Sequence, residues 1–265
     1  MARKNAARDP LPVDASGGLS EATVIHTCIL RLALAVEDSR TYWARFDPSI
    51  PSPKRAKVAF EQRWFGTHGM EWVRYLIASF GPRYNAFPNA LKVLSQWSAM
   101  DLATCQVVCH WHLQLSDPLY RRFTGDYLLQ RRGQKDATVS RDAVFLWLKS
   151  DFLDKWSEAT CIQLAGKLLS AAREVGMVSR RDPRTLHLPR VTDHALAYLL
   201  YLLREIQFTG SLANNPYLRS VGLDEELLNR RARGLPGVAL RNTAGTIDLE
   251  WTYPDLASWG REVVS

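Results

Sequence analysis

The stretch from Trp156 to Val191, WSEATCIQLAGKLLSAAREVGMVSRRDPRTLHLPRV, narrows what this chain can fold into more than any other. Ser157 is placed to cap the exposed N–H groups of a first helical turn, and Glu158 suits the positive end of the helix dipole. Ile162, Ala165, Leu168, Leu169, Ala172 and Val175 then recur at helical spacing, while Gln163, Lys167, Ser170 and Arg173 fall off that stripe. Gly176 ends the helix, as a residue that tolerates positive φ does. Met177 and Val178, a polar turn from Ser179 to Pro183, and the alternating run Thr185, Leu186, His187, Leu188 read as two short strands around a basic loop.

Helix, glycine, strand, basic loop and strand make up the second half of a winged helix. The helix that must precede them is supplied by Arg141 to Lys149, capped by Ser140. In a winged helix the second helix enters a DNA major groove with its N-terminal residues at the base edges. Thr160, Gln163 and Lys167 follow that N-terminus off the apolar stripe and are the groove-facing candidates. Arg180, Arg181 and Arg184 stand against a lone Asp182 in the loop and are placed to press on phosphates. The fold also serves for packing and for protein contact, so it does not by itself give a function.

Composition supports the DNA reading without proving it. The formal net charge is +7 and the isoelectric point about 9.4, which favours an acidic partner. Hydrophobic residues make up 46% of the 265 residues, and nine each of Trp, Tyr and Phe call for a buried core. Four cysteines do not make a disulfide framework in a chain this long. No secretory leader is visible, and the longest apolar run, Ala195 to Leu203, is far short of the roughly 20 residues that cross a bilayer. These features predict a cytoplasmic protein with no membrane association. No phosphate-binding Gly-rich loop, zinc-protease helix or nucleophile elbow occurs. Asp224, Glu225 and Glu226 cluster only at a helix start, where they stabilise the dipole. Cys105, Cys109 and His112 share one helical face, but ligands stacked along one straight helix do not converge on an ion. The sequence therefore predicts no enzyme, no metal and no cofactor.

Along the chain, residues 1–18 read as a disordered basic tail. Residues 19–135 read as an N-terminal helical domain. Its first helix is expected over Ser20 to Val36, with Val24, Cys28, Leu32 and Ala35 on one face. A looser aromatic link through Tyr42, Trp43 and Phe46 follows. Helices are then predicted over Lys54 to Phe65, Met70 to Phe80, Pro88 to Trp97, Asp101 to Leu115 and onward from Pro118. Gly133 to Thr138 marks a boundary, and residues 136–265 form the winged-helix-containing domain. That domain continues with a buried helix over Thr192 to Ile206 and a short helix over Asp224 to Arg233. Strands over Val238 to Arg241 and Thr246 to Trp251 and a last helix from Pro254 to Val264 complete it. The fold class predicted is mainly α, a helical bundle with a winged-helix part, in which the C-terminal hairpin echoes the first wing.

The strings DKWSEATCIQLAGKLLSAAREVGMV, LHLPRV and ALAYLLYLLRE, with SDPLYRRFTGDYL upstream, resemble the BrxA family of BREX phage-defence systems. The resemblance runs in order of elements from about Leu19 to the C-terminus and rests on helix caps and apolar stripes. It implies a small, mainly helical protein whose winged part binds double-stranded DNA and that works beside the other BREX defence proteins. It supplies no catalytic residues. The family's inner-membrane label finds no spanning segment here. A protein-interaction scaffold within the defence complex, without DNA contact, is the alternative, and self-association is left open by the sequence.

Overall fold

The computed structural model describes residues 19–152, 154–243 and 246–265, so the expected basic tail lies outside the described residues. The fold is mainly α-helical, with two small antiparallel sheets. Helices α1 (Val36–Arg45), α2 (Ser52–Glu61), α3 (Met70–Phe80) and α4 (Pro88–Gln96) lead to α5 (Leu102–Ser116). Asp101 caps α5 by accepting from the Thr104 N–H at 2.6 Å. Next comes one helix in three parts: α6 (Pro118–Arg122), a wider π turn (Phe123–Tyr127) and α7 (Leu128–Arg132). Strand β1 (Thr138–Val139), α8 (Arg141–Phe152), α9 (Glu158–Glu174) and β2 (Arg184–Thr185) follow. The chain closes with α10 (Asp193–Arg204), α11 (Pro216–Ser220), α12 (Glu225–Ala232), the hairpin β3 (Val238–Thr243) and β4 (Thr246–Trp251), and α13 (Leu256–Val263). Among the described residues no helix is long and apolar enough to cross a membrane.

One cluster of buried apolar residues runs from Ile29 to Val264 and joins both halves of the chain. Helix α13 packs on α4, where the rings of Trp97 and Trp259 meet edge to face at 5.9 Å. Helix α5 is buried from Thr104 to Ser116 except at Gln106, so its polar side chains need partners inside the protein. His110 lies 2.9 Å from both the Tyr120 and Ser220 hydroxyls. His112 lies 2.9 Å from the Arg83 carbonyl and 2.7 Å from the Tyr198 hydroxyl. His112, which shares a helical face with Cys105 and Cys109, and His110, off to the side of that face, are thus both held by hydrogen bonds, and the two cysteines are buried.

The expected helix over Ser20 to Val36 is absent. Apart from a 3-10 turn at Cys28–Leu30, this segment is non-helical, and α1 begins where it was expected to end. Tertiary partners outweigh its helical propensity. The N–H of Glu21 donates to the Gln207 carbonyl at 3.0 Å, and that of Ala22 to Leu115 at 2.8 Å. The buried Arg83 guanidinium donates to the Leu34, Ala33 and Leu32 carbonyls at 2.9, 3.0 and 3.4 Å. The aromatic link at Tyr42 to Phe46 belongs instead to α1 and the residue that ends it, with Tyr42 and Trp43 buried.

Glu21 is only 3% exposed, and its charge is met by Arg121 at 3.3 Å. Thr209 donates to the same carboxylate through its N–H at 3.1 Å and its hydroxyl at 2.7 Å, and Tyr217 donates to the other oxygen. Arg121 also donates to the Gln114 and Ala22 carbonyls, each at 2.7 Å. Arg121→Ala should therefore destabilise the protein by about 3–5 kcal/mol, because it strands a buried carboxylate; urea unfolding measures this. Burial, helped by the nearby Arg132 charge, pushes His110 down to about 3. Burial also pushes His112 down to about 4, against the hydrogen bond to the Arg83 carbonyl. Both pKa values are depressed in the fold, so this stability is present above about pH 6.5 and is lost as pH falls toward them. Unfolding at pH 5 should need less urea than at pH 7, and His110→Gln should shrink the difference.

Candidate nucleic-acid interface

Ser140 caps α8 by accepting from the Ala143 N–H at 3.0 Å, and Ser157 caps α9 by accepting from the Thr160 N–H at 3.3 Å. The two helices pack against each other. The chain then turns at Gly176, which has φ +84°, the left-handed conformation that glycine adopts freely. Val178 bridges Leu186 in antiparallel fashion. The Ser179 N–H donates to Thr185 at 2.9 Å and the His187 N–H to Met177 at 2.8 Å. On its other side β2 pairs with β1, Thr138 opposite Thr185 and Val139 opposite Arg184. The loop Arg180 to Pro183 projects between these paired segments.

The buried side of α9 is Cys161, Leu164, Ala165, Leu168, Leu169, Ala171 and Ala172. Ile162, expected on the apolar stripe, is 41% exposed instead. The other five residues expected on the stripe, Ala165, Leu168, Leu169, Ala172 and Val175, are buried, and Ile162 lies at its edge, next to the solvent face that carries Ala159, Gln163, Lys167 and Arg173. Gln163 and Lys167 are exposed. Thr160 is half-buried, and its hydroxyl lies 3.0 Å from that of Ser157, so it belongs to the helix cap.

The three loop arginines separate into two kinds. Arg180 and Arg181 are exposed, and among the described residues their guanidinium groups have no partner. Arg184 turns back into the hairpin. It donates to the Ser179 carbonyl at 3.1 Å and the Arg180 carbonyl at 2.7 Å, and its Nε lies 3.9 Å from Asp182. Asp182 in turn accepts from the backbone N–H of Arg141 at 3.1 Å, which ties the loop to the start of α8. The Arg141 side chain reaches across α9 and donates to the Ile162 carbonyl at 3.3 Å. Arg141 thus joins the site although nothing in its sequence neighbourhood beyond the helix start marks it.

Several members of the other cationic clusters have partners within the protein, while Lys54 and Arg233 are exposed. Arg55 is buried and donates to the Ile50 carbonyl at 2.9 Å. Arg122 pairs with Asp151 at 2.6 Å, Arg131 donates to the Thr138 carbonyl, and Arg132 donates to the Ser220 and His187 carbonyls. Arg230 pairs with Glu226 at 3.0 Å, and Arg231 pairs with Asp193. Arg180 and Arg181 are an adjacent pair of unpartnered cations on the loop that Asp182 ties to the start of α8.

No family model matches the chain, and neither does any curated protein. Among solved structures, an uncharacterized protein from Magnetospirillum magneticum is similar, with a TM-score of 0.56 at 13% identity over 68% of this chain and 97% of that one. At that identity the likeness is one of fold alone.

The two kinds of loop arginine should separate in a thermal melt. Arg184→Ala should cost about 1 kcal/mol, because it removes two charge-assisted hydrogen bonds from a half-exposed hairpin. Arg180→Ala and Arg181→Ala should each stay within about 0.5 kcal/mol of the parent.

Proposed function

We propose that the chain is a non-enzymatic DNA-binding accessory protein of a BREX-type phage-defence system, and that residues 118–188 form a winged helix whose α9 and loop contact duplex DNA. One observation carries this reading. Arg180 and Arg181 are unpaired cations on a loop that Asp182 and Arg141 fasten beside the solvent face of α9. The order helix, short strand, helix, helix, a single bridged residue at Val178, loop, short strand from Pro118 to Thr185 supports it, as does the net charge of +7. The defence-system context rests on the sequence resemblance. Duplex DNA and the other proteins of such a system are the partners proposed.

In this arrangement the N-terminal half of α9 enters the major groove, with Gln163 and Lys167 at the base edges. Arg180 and Arg181 lie on the adjacent phosphates and set the orientation. Arg184 acts by holding the hairpin in shape. A scaffold reading draws on Leu146, an apolar residue of α8 that is 61% exposed and suits a protein partner.

A titration against a random duplex at several salt concentrations tests the proposal. Affinity should fall steeply with salt, and the Arg180→Ala, Arg181→Ala double variant should reduce the log–log slope by about two. Binding that ignores salt, or a slope that the double variant leaves unchanged, would overturn it and favour the scaffold.

A further inference from the structure

The solvent face of α9 is polar over most of its length but carries an apolar strip in its N-terminal half. Ala159, Ile162 and Gly166 run down its N-terminal half at helical spacing, flanked by Gln163 and Lys167. Ile162 leaves 41% of its surface in water. Its surroundings are cationic. The Arg141 guanidinium donates to the Ile162 carbonyl and lies 3.8 Å from where a Cβ on Gly166 would stand. Lys167 on the helix and Arg180 and Arg181 on the adjoining loop are exposed as well, as is Asp182, the one acid of that loop. On the same two helices the acids are Asp142, Asp151, paired to Arg122 at 2.6 Å, Glu158, 3.9 Å from Lys149, and Glu174, which takes the Val36 N–H at 3.0 Å.

An apolar strip with a positive rim matches a surface that is apolar at its centre and anionic at its edges. The major groove is such a surface wherever it carries thymine, whose C5 methyl lies between two phosphate walls. A protein partner would need carboxylates placed around an apolar knob to meet the same strip, whereas DNA carries its phosphates on both sides of every thymine methyl. A bare helix of this kind fits the groove's width of about 12 Å. Gln163, beside Ile162, has the amide geometry that pairs with adenine N6 and N7.

Resting on the DNA-binding reading above, we propose that α9 recognises A·T pairs in the major groove, with Ile162 packing on the thymine methyl. The protein is then a sequence-sensitive binder, and its affinity depends on a methyl group rather than on charge alone.

The probe is one pool of random duplexes, about 30 base pairs long, prepared once with thymidine and once with deoxyuridine. The two pools have the same pairing and charge and differ only in the C5 methyl. The full-length protein should bind the thymidine pool more tightly, by about fourfold for each methyl it contacts. Ile162→Ala should bind both pools alike. The site is exposed and alanine is the better helix former, so this variant keeps the fold, which a thermal melt verifies. Equal binding of the two pools by the parent protein would overturn the inference and leave DNA binding standing. A thymidine preference that survives Ile162→Ala would overturn the role of Ile162. Absence of binding to either pool would remove the DNA-binding reading and this inference with it. If the parent protein bound both pools alike and Ile162→Ala disrupted self-association in sedimentation, the inference would be overturned and the strip would be an interface between copies.

Discussion

A buried helix has to find partners for its polar side chains inside the protein, and the rest of this structure is arranged around how α5 does so for all but the Gln114 amide oxygen. His110 reaches Tyr120 and Ser220, His112 reaches the Arg83 backbone and Tyr198, and Trp111 donates to the Tyr217 carbonyl at 3.1 Å. Gln114 donates to the Thr124 hydroxyl at 2.9 Å. These partners come from four separate stretches of sequence. Leaving any one of them unmade would strand a buried polar group, at a cost comparable to a fair share of a domain's stability. The contacts therefore fix where those stretches lie, and the α6–α7 helix and α11 are set in place as a consequence.

Arg83 extends the same logic to a segment with no regular structure. Its guanidinium takes up three successive carbonyls that an irregular chain would otherwise bury unpaired. Arg121 and Glu21 do the same a few residues earlier. The N-terminal segment is held by side chains rather than by its own backbone ladder, and this is why a helical wheel misreads it.

Much of the helical architecture was legible from caps and periodicity. Asp101, Ser140, Ser157 and Thr192 each precede a helix and each accepts from its third N–H, so α5, α8, α9 and α10 fall where the sequence places them. The Ser20 to Val36 segment was not, although LALAV carries the alternation of an extended chain: Leu32, Leu34 and Val36 are buried and the alanines between them half-buried. Its aliphatic content suggested a helix, and the partners that decide otherwise, Leu115 and Gln207, lie far along the chain. In the candidate interface, Gln163, Lys167, Arg180 and Arg181 were legible as exposed polar positions. Arg184 was not distinguishable from its neighbours, because which arginine folds back depends on strand register. Ile162 sits at the edge of the buried stripe, and an apolar pattern does not say which of its edge residues faces water.

The N-terminal segment has a mechanical consequence for α9. The Lys155 ammonium, just before the helix, donates to the Ile25 carbonyl at 2.8 Å, and the Val36 N–H donates to Glu174 in the last turn at 3.0 Å. The 3-10 turn at Cys28–Leu30 packs against the helix between these ties. Helix α9 is thus clamped near both ends by a strap of chain that is itself bolted to α5 and Arg83. Such a helix cannot rock by itself, so whatever docks on its open face meets a preformed surface with little ordering entropy left to lose. The adaptation in such an encounter falls on the visitor.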